Sequence, residues 1–353
     1  MENLKAARMR GIDALRGISA LLVLAQHIVP LSWIGEGNFL VIDSLYLIPG
    51  RVGVAAFFLI SGYIIPSSMG PRSTLSTFWI SRFFRLWPLY IVVILLAVVM
   101  GAEKTEELNA AEVLLNFTML QQFIGVPNAL GVFWTLQIEL VFYFLVSGML
   151  LLGVVHDRNA VRTALALSTV LALLMAAARF ATGIKLPVAL PIGLMLMFFG
   201  AELRLARLSN ESLPLRRIAV LLVSLVGVCL LGYSYGAGDN PYRWATAYTL
   251  AVVLFLFFER AKTAPAALVF LGTISYSVYL LHPLVISFFG NEEAISAVWI
   301  VSCTLAAATA SYYFIEKPFQ KLGKRLSSNA AAAQAGAGPA QPAPELLPLP
   351  ARR

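Results

Sequence analysis

Ten apolar runs, separated by charged residues, glycine or proline, divide this chain of 353 residues. They begin near Ile12, Val52, Leu86, Val132, Thr163, Leu190, Ile218, Trp244, Leu268 and Ala294, and most extend for the ~20 residues that a helix needs to cross a ~30 Å hydrocarbon layer. Within such a layer each segment must satisfy its own backbone N–H and C=O groups, so runs of this length fold as helices. Composition agrees: 59% of the residues are hydrophobic and 12% charged, about half the charge of a soluble domain. The expectation is an all-α polytopic membrane bundle of about ten transmembrane helices, which excludes a soluble globular enzyme. A shorter run, Val113 to Gly125, is too brief and polar to span and is expected to lie at the interface or dip into the layer.

The net charge of +8 does not call for a nucleic-acid partner, because excess Lys and Arg in a membrane protein belongs to cytoplasmic loops. With the N-terminus cytoplasmic, about twenty of the 26 basic residues fall on that side, against Arg51, Lys104, Arg179, Lys185 and Arg243 on the other. Both termini are therefore expected in the cytoplasm. The segment at residues 1–11 reads as a cytoplasmic lead-in, 12–326 as the membrane domain, and the Ala- and Pro-rich stretch 327–353 as a disordered cytoplasmic tail. Lys5, Arg8 and Arg10 precede a run of full span length that carries Arg16 and His27, so that run is expected to be a retained first helix rather than a cleaved leader. Cys229 and Cys303 sit in different runs with no Cys/His cluster nearby, which supports neither a disulfide framework nor a metal site.

The informative side chains are those that lipid should exclude. An ionisable group near the centre of a span costs about 2.5–3.5 kcal/mol on insertion scales and is usually kept for a site or a pairing. In RGIDALRGISALLVLAQHI, Arg16 and His27 are eleven residues apart, which puts both on one helix face about 16 Å apart along the axis. Arg16 reads equally as a snorkelling cation helped by Asp13. Imidazole is the side chain best suited to moving protons near neutral pH, and the alternative for His27 is a structural bond between helices. Glu139, in FWTLQIELVFYFLV between Thr135 and Tyr143, needs a partner in lipid, and His27 lies at a comparable depth. Ser275, Tyr279 and His282 align at i, i+4 and i+7, as a packing stripe or as support for the site.

Arg82 and Arg85, one turn apart in FWISRFFRLWPLY, read as membrane anchors flanked by interfacial Trp79 and Trp87, or as two guanidiniums matched to the phosphates of an anionic donor. Ser61 and Gly62, mid-run in GVAAFFLISGYII, permit close helix packing or leave room for a long substrate. The loop from Ser32 to Gly50 carries Trp33 and Tyr46, aromatics suited to interface anchoring or to stacking on a sugar ring.

Together with ISYSVYLLHPLV and IEKPFQKLGKR, these segments closely resemble, in order and over residues 8 to 325, the acyltransferase-3 family of integral membrane acyltransferases. That resemblance implies a ten-helix domain in the cell inner (plasma) membrane. It takes an acyl group, usually acetyl, from cytoplasmic acyl-CoA as co-substrate and delivers it to a hydroxyl of a cell-envelope or exported carbohydrate, or of a small molecule such as a macrolide. The family's arginine–histidine pattern falls on Arg16 and His27, its donor-associated double arginine on Arg82 and Arg85, and its glutamate on Glu139. Many members add a periplasmic hydrolase-like domain, and the lack of one here would leave acceptor choice to the membrane domain or to a glycan biosynthesis or export partner.

An alcohol attacking a thioester needs a general base, a role worth about 10²–10⁴-fold. The expectation gives it to His27 oriented by Glu139, with Arg16 on the donor or the oxyanion, Arg82 and Arg85 on the CoA phosphates with Ser61 beside them, and Ser275, Tyr279 and His282 in support. The rival class is a transporter or glycolipid flippase, which shares this composition.

Overall fold

The computed structural model describes residues 9–28, 48–70, 73–103, 105–234, 240–289 and 297–336, and all of them are helical or irregular, with no strand among them. Among the described residues nine helices are long and apolar enough to cross a membrane, and the shorter apolar helix Pro49–Ile64 joins them. In chain order the helices are α1 (Arg10–Ile28), α2 (Pro49–Ile64), α3 (Leu75–Met100), α4 (Ala110–Asn116), α5 (Trp134–Leu151), α6 (Arg158–Thr182), α7 (Ala189–Leu208), α8 (Leu215–Gly232), α9 (Pro241–Arg260), α10 (Ala266–Phe289), α11 (Ala297–Ser311) and α12 (Lys317–Gly336). A π-helical turn, Tyr312–Glu316, joins the last two. The helix α12 runs ten residues past the boundary that composition places at 326. The loop with Trp33 and Tyr46 lies outside the described residues, as does 337–353.

Glycine sets which helices touch. Lipid tails offer no hydrophobic reason for apolar helices to associate, so small residues that let backbones approach carry the interfaces. On α1 and α10 a Cβ at Gly272 would stand 1.8 Å from the Asp13 carbonyl oxygen, and one at Gly17 would stand 2.6 Å from that of Leu268. On α2 and α7, a Cβ at Gly62 would stand 1.8 Å from the Met197 carbonyl oxygen, and one at Gly200 would stand 2.2 Å from that of Leu59. Gly62 is thus a packing residue, and its neighbour Ser61 serves a different purpose, described below.

The third span begins eleven residues before Leu86, the expected start. Thr74 and Thr77 form a reciprocal cap, each side-chain oxygen accepting from the other's backbone N–H (3.3 and 2.8 Å), and α3 starts there. Arg82 and Arg85 had marked the edge of an apolar run; they stand inside the helix instead. The segment between α3 and α5 folds as α4 and three 3₁₀ turns, and it reaches the middle of α3. Trp87 Nε1 donates to the Phe117 carbonyl (3.0 Å) and Tyr90 to that of Asn116 (2.9 Å). Asn116 and Gln121, both fully buried, knit the segment through Ala129, Pro127 and Asn128. Trp79, half-buried, packs on Phe78, Tyr143 and Phe144.

Ion pairs concentrate at the end of the bundle where α1 begins. Buried Glu202 accepts from Arg162 (3.0 Å) and Arg217 (2.6 Å), and Arg207 forks onto Glu259 at 2.8 and 3.1 Å. At the opposite end, Gly50 N–H donates to Gln26 Oε1 (2.5 Å), and the Arg51 guanidinium lies 3.9 Å from the centre of the Trp244 ring and 5.7 Å from that of Trp134.

Candidate active site

A cavity opens among α1, α2, α3, α5 and α10. Its apolar walls come from Val54, Phe57, Phe58, Ile60, Ile64, Leu86 and Leu136, and its polar groups from Arg16, Ser61, Arg82, Arg85, Thr135, Glu139, Ser275, Tyr276 and Tyr279. Seven of the nine residues singled out in the sequence line this one space. The other two, His27 and His282, lie beyond it.

Three guanidiniums face the cavity against one lining carboxylate, Glu139. Glu139 Oε1 accepts from Ser61 Oγ (3.1 Å) and from the Tyr143 hydroxyl (2.9 Å). No arginine of the trio forms an ion pair with a described residue. Arg82 Nε is buried without a partner, its Nη2 reaches Ser81 Oγ at 3.4 Å, and its guanidinium, which also interacts with the Tyr143 hydroxyl, stands about 6 Å from the rings of Phe78 and Tyr143. Guanidinium donors that the protein leaves unspent in a partly apolar cavity suit a ligand with several anionic oxygens. The backbone around them is also braced: Tyr276 donates to the Leu86 carbonyl (2.8 Å), two residues before Pro88.

The expected pairing of Glu139 with His27 does not form. Glu139 instead lies beside Ser61 and Tyr143 in the cavity that Arg16 lines, while His27 meets His282. Arg16 and His27 do occupy one stripe of α1, facing α10: Arg16 shares the cavity with Ser275 and Tyr276, and His27 meets His282.

Between the two levels stands Tyr279. Its hydroxyl bonds to Thr135 Oγ1 (2.7 Å) and donates to the Val132 carbonyl (3.0 Å), its ring packs edge-on against Phe57, and its other side faces His282 at 6.0 Å between ring centres. Tyr279 and Thr135 thus line one end of the cavity and lead from it towards the imidazoles. His27 is exposed, with Nδ1 on the Val23 carbonyl (2.8 Å), an arrangement that leaves Nε2 as the nitrogen free to face a substrate.

Ser275, which also donates to the Gly272 carbonyl (2.9 Å), lines the cavity as part of the α10 stripe. Sequence reading passed over Glu316. It closes the last apolar run beside Lys317, where a carboxylate reads as a loop residue, but the π turn carries it inward to accept from Ser277 and Gln320, within electrostatic reach of Arg16 and Arg85. A π bulge of this kind is a frequent companion of functional sites. No group of three or more metal-ligating side chains occurs among the described residues.

A family profile described as an acyltransferase domain matches residues 9–316. Among curated proteins, the chain is 26% identical over 361 residues to the O-acetyltransferase OatA of Staphylococcus aureus, covering 89% of this chain and 57% of that one. It is likewise 26% identical over 372 residues to the putative O-acetyltransferase SAS0844 of the same species, covering 90% of this chain and 58% of that one. The chain therefore spans less than two thirds of the length of these relatives. No solved structure matches it.

Proposed function

The chain belongs to the acyltransferase-3 family, and from that premise we propose that it is a membrane O-acyltransferase carrying an acetyl group from cytoplasmic acyl-CoA to a hydroxyl of a cell-envelope or exported glycan. The observation that carries this reading is the unspent arginine trio, Arg16, Arg82 and Arg85, in a cavity whose far end is Tyr279, with His27 on the other side.

The arginines hold the CoA phosphates at the Arg10 end of the bundle. That end carries most of the basic residues, which supports its placement in the cytoplasm of a cell with the bundle in its plasma membrane. The pantetheine arm runs through the cavity between Phe57, Phe58 and Leu136 and sets the thioester under Thr135 and Tyr279. This arrangement lets the nucleotide stay at the surface while the reacting carbon lies deep, and direct transfer follows without an acyl-enzyme relay. The acceptor hydroxyl approaches from the opposite end and gives its proton to His27 Nε2 as it attacks. Arg16 lies about 16 Å of helix rise below His27, so its charge serves the donor rather than the oxyanion. Glu139 acts on the arginine level as well, holding Ser61 and Tyr143 and balancing part of the positive charge. The relatives' names support acetyl as the group moved.

The test is direct. Protein purified in detergent and supplied with acetyl-labelled acetyl-CoA and an envelope glycan fraction should release free CoA thiol and label the glycan, and mass spectrometry of glycans from cells lacking the protein should show the corresponding acetyl missing. Unlabelled glycan with intact acetyl-CoA, alongside glycolipid movement across vesicles, would replace this reading with a transporter.

A further inference from the structure

Resting on that reading, we propose that the acceptor is an anionic glycan whose carboxylate or phosphate is held by Arg51 at the end of the cavity nearest His27. Arg51 stands in the first turn of α2, where the helix dipole disfavours a cation. Aromatic rings hold it there. Its guanidinium lies over the Trp244 ring at 3.9 Å from the centre, and that ring stacks in turn on Tyr233 at 4.0 Å and 5°. The Arg179 guanidinium closes the stack 5.3 Å from the centre of Tyr233, and Trp134 approaches Arg51 at 5.7 Å. Contacts of this kind occupy the face of a guanidinium and leave the N–H donors at its edge.

That edge is uncommitted. Arg51 is half-buried, and its guanidinium makes no hydrogen bond or ion pair with a described residue. Its position decides what it can meet. Arg51, Val54 and Phe58 fall at i, i+3 and i+7 on one face of α2, and Val54 and Phe58 line the cavity, so Arg51 continues that wall one turn beyond Val54. Phe58 packs edge-on against Trp134, whose neighbour Thr135 also lines the cavity, and the charge of Arg51 reaches Tyr279. The bond from Gly50 N–H to Gln26 Oε1 (2.5 Å) ties this turn of α2 to the turn of α1 that carries His27. The cation therefore stands at the imidazole level, where the acceptor arrives, and not at the level of the CoA phosphates.

A sugar offers many similar hydroxyls, and transfer needs one of them held between His27 and the thioester. A fixed negative charge on the same glycan supplies the grip. A carboxylate or phosphate taken by the fork of Arg51 fixes the orientation of the sugar, and with it the hydroxyl that faces His27. Because the two tryptophans already hold the guanidinium, little of its freedom is lost when the ligand binds. Separate arginine sites then sort two anionic ligands: Arg16, Arg82 and Arg85 take the donor, and Arg51 takes the acceptor.

The unaltered protein tests this first. In neutral detergent with labelled acetyl-CoA, the envelope glycan fraction is assayed as prepared and again after its carboxyls are reduced to alcohols and its phosphates removed. Neutralising the glycan should raise its half-saturating concentration roughly 10- to 150-fold, the range for one lost charge-assisted contact, with kcat unchanged. Arg51→Gln should show the same rise on the untreated fraction, no further rise on the neutralised one, and wild-type affinity for acetyl-CoA; Arg51→Lys should fall between. Equal half-saturating concentrations of the two fractions for the wild type would overturn the proposal. So would an Arg51→Gln protein that loses kcat on both fractions alike, which marks an oxyanion donor. Wild-type activity that depends on added phosphatidylglycerol, with the dependence lost in Arg51→Gln, would overturn it in favour of a lipid headgroup. Absence of transfer to either fraction by the wild type would instead overturn the parent reading, so the two failures are distinguishable.

Discussion

Replacing Arg85 with alanine isolates the donor contact from the fold. Among the described residues Arg85 makes no hydrogen bond or ion pair, and its charge reaches buried Glu316, which keeps Arg16 and the Ser277 hydroxyl beside it, so the melting temperature should fall only slightly. What is lost is a charge-assisted contact to phosphate, worth about 1.5–3 kcal/mol, which at 1.4 kcal/mol per tenfold is about 10- to 150-fold in the dissociation constant for acetyl-CoA. Arg82→Ala should fall in the same range and also lose its packing against Phe78 and Tyr143. Arg85→Lys keeps the charge without the fork and should cost less. Calorimetric titration in detergent with acetyl-CoA and, in parallel, with acetyl-pantetheine, which lacks the phosphates, reads the effect. The loss should appear with acetyl-CoA and vanish with acetyl-pantetheine. Equal affinities for acetyl-CoA in wild type and variant, or equal losses for both ligands, would refute the assignment of these arginines to phosphate.

Gly62→Ala forces a methyl to 1.8 Å from the Met197 carbonyl, and α2 must leave α7; thermal unfolding should register a loss of at least ~1–3 kcal/mol. Gly148→Ala, where nothing stands within 4 Å, should match or exceed wild-type stability by up to ~1 kcal/mol. Glu202→Ala leaves Arg162 and Arg217 facing a vacated site. Because both arginines keep 31% of their side-chain surface exposed, the destabilisation should sit near the low end of the ~3–5 kcal/mol seen for broken buried pairs, with acetyl-CoA affinity unchanged in the folded fraction.

The spans were legible because lipid imposes one rule on every residue of a crossing helix, and the Arg16–His27 stripe was legible because helical phase survives any change of depth. Depth itself was not. The segment between α3 and α5 packs on α3 through hydrogen bonds from Trp87, Tyr90, Asn116 and Gln121, which hydropathy does not show, and counting residues along two spans does not reveal which side chains meet, so Glu139 was matched to His27 rather than to Ser61 and Tyr143. Arg82 and Arg85 marked the end of an apolar run in sequence yet stand within the helix, because a cavity, unlike lipid, tolerates charge. Glu316 was hidden for the opposite reason: a π turn rotates it inward at a place where helical phase alone points it elsewhere. The two histidines were each visible, but a ring-to-ring contact between the first and tenth helices is a tertiary fact that spacing along either helix cannot contain.

The central claim is a division of labour between the arginine level and the imidazole level on either side of Tyr279 and Thr135. Acetyl transfer and acetyl-CoA affinity measured on the same preparation of His27→Ala test it most directly. The expected result is transfer lowered by about 10²–10⁴-fold with the affinity for acetyl-CoA unchanged, and a variant that still transfers acetyl, or one that loses donor affinity together with turnover, would contradict it.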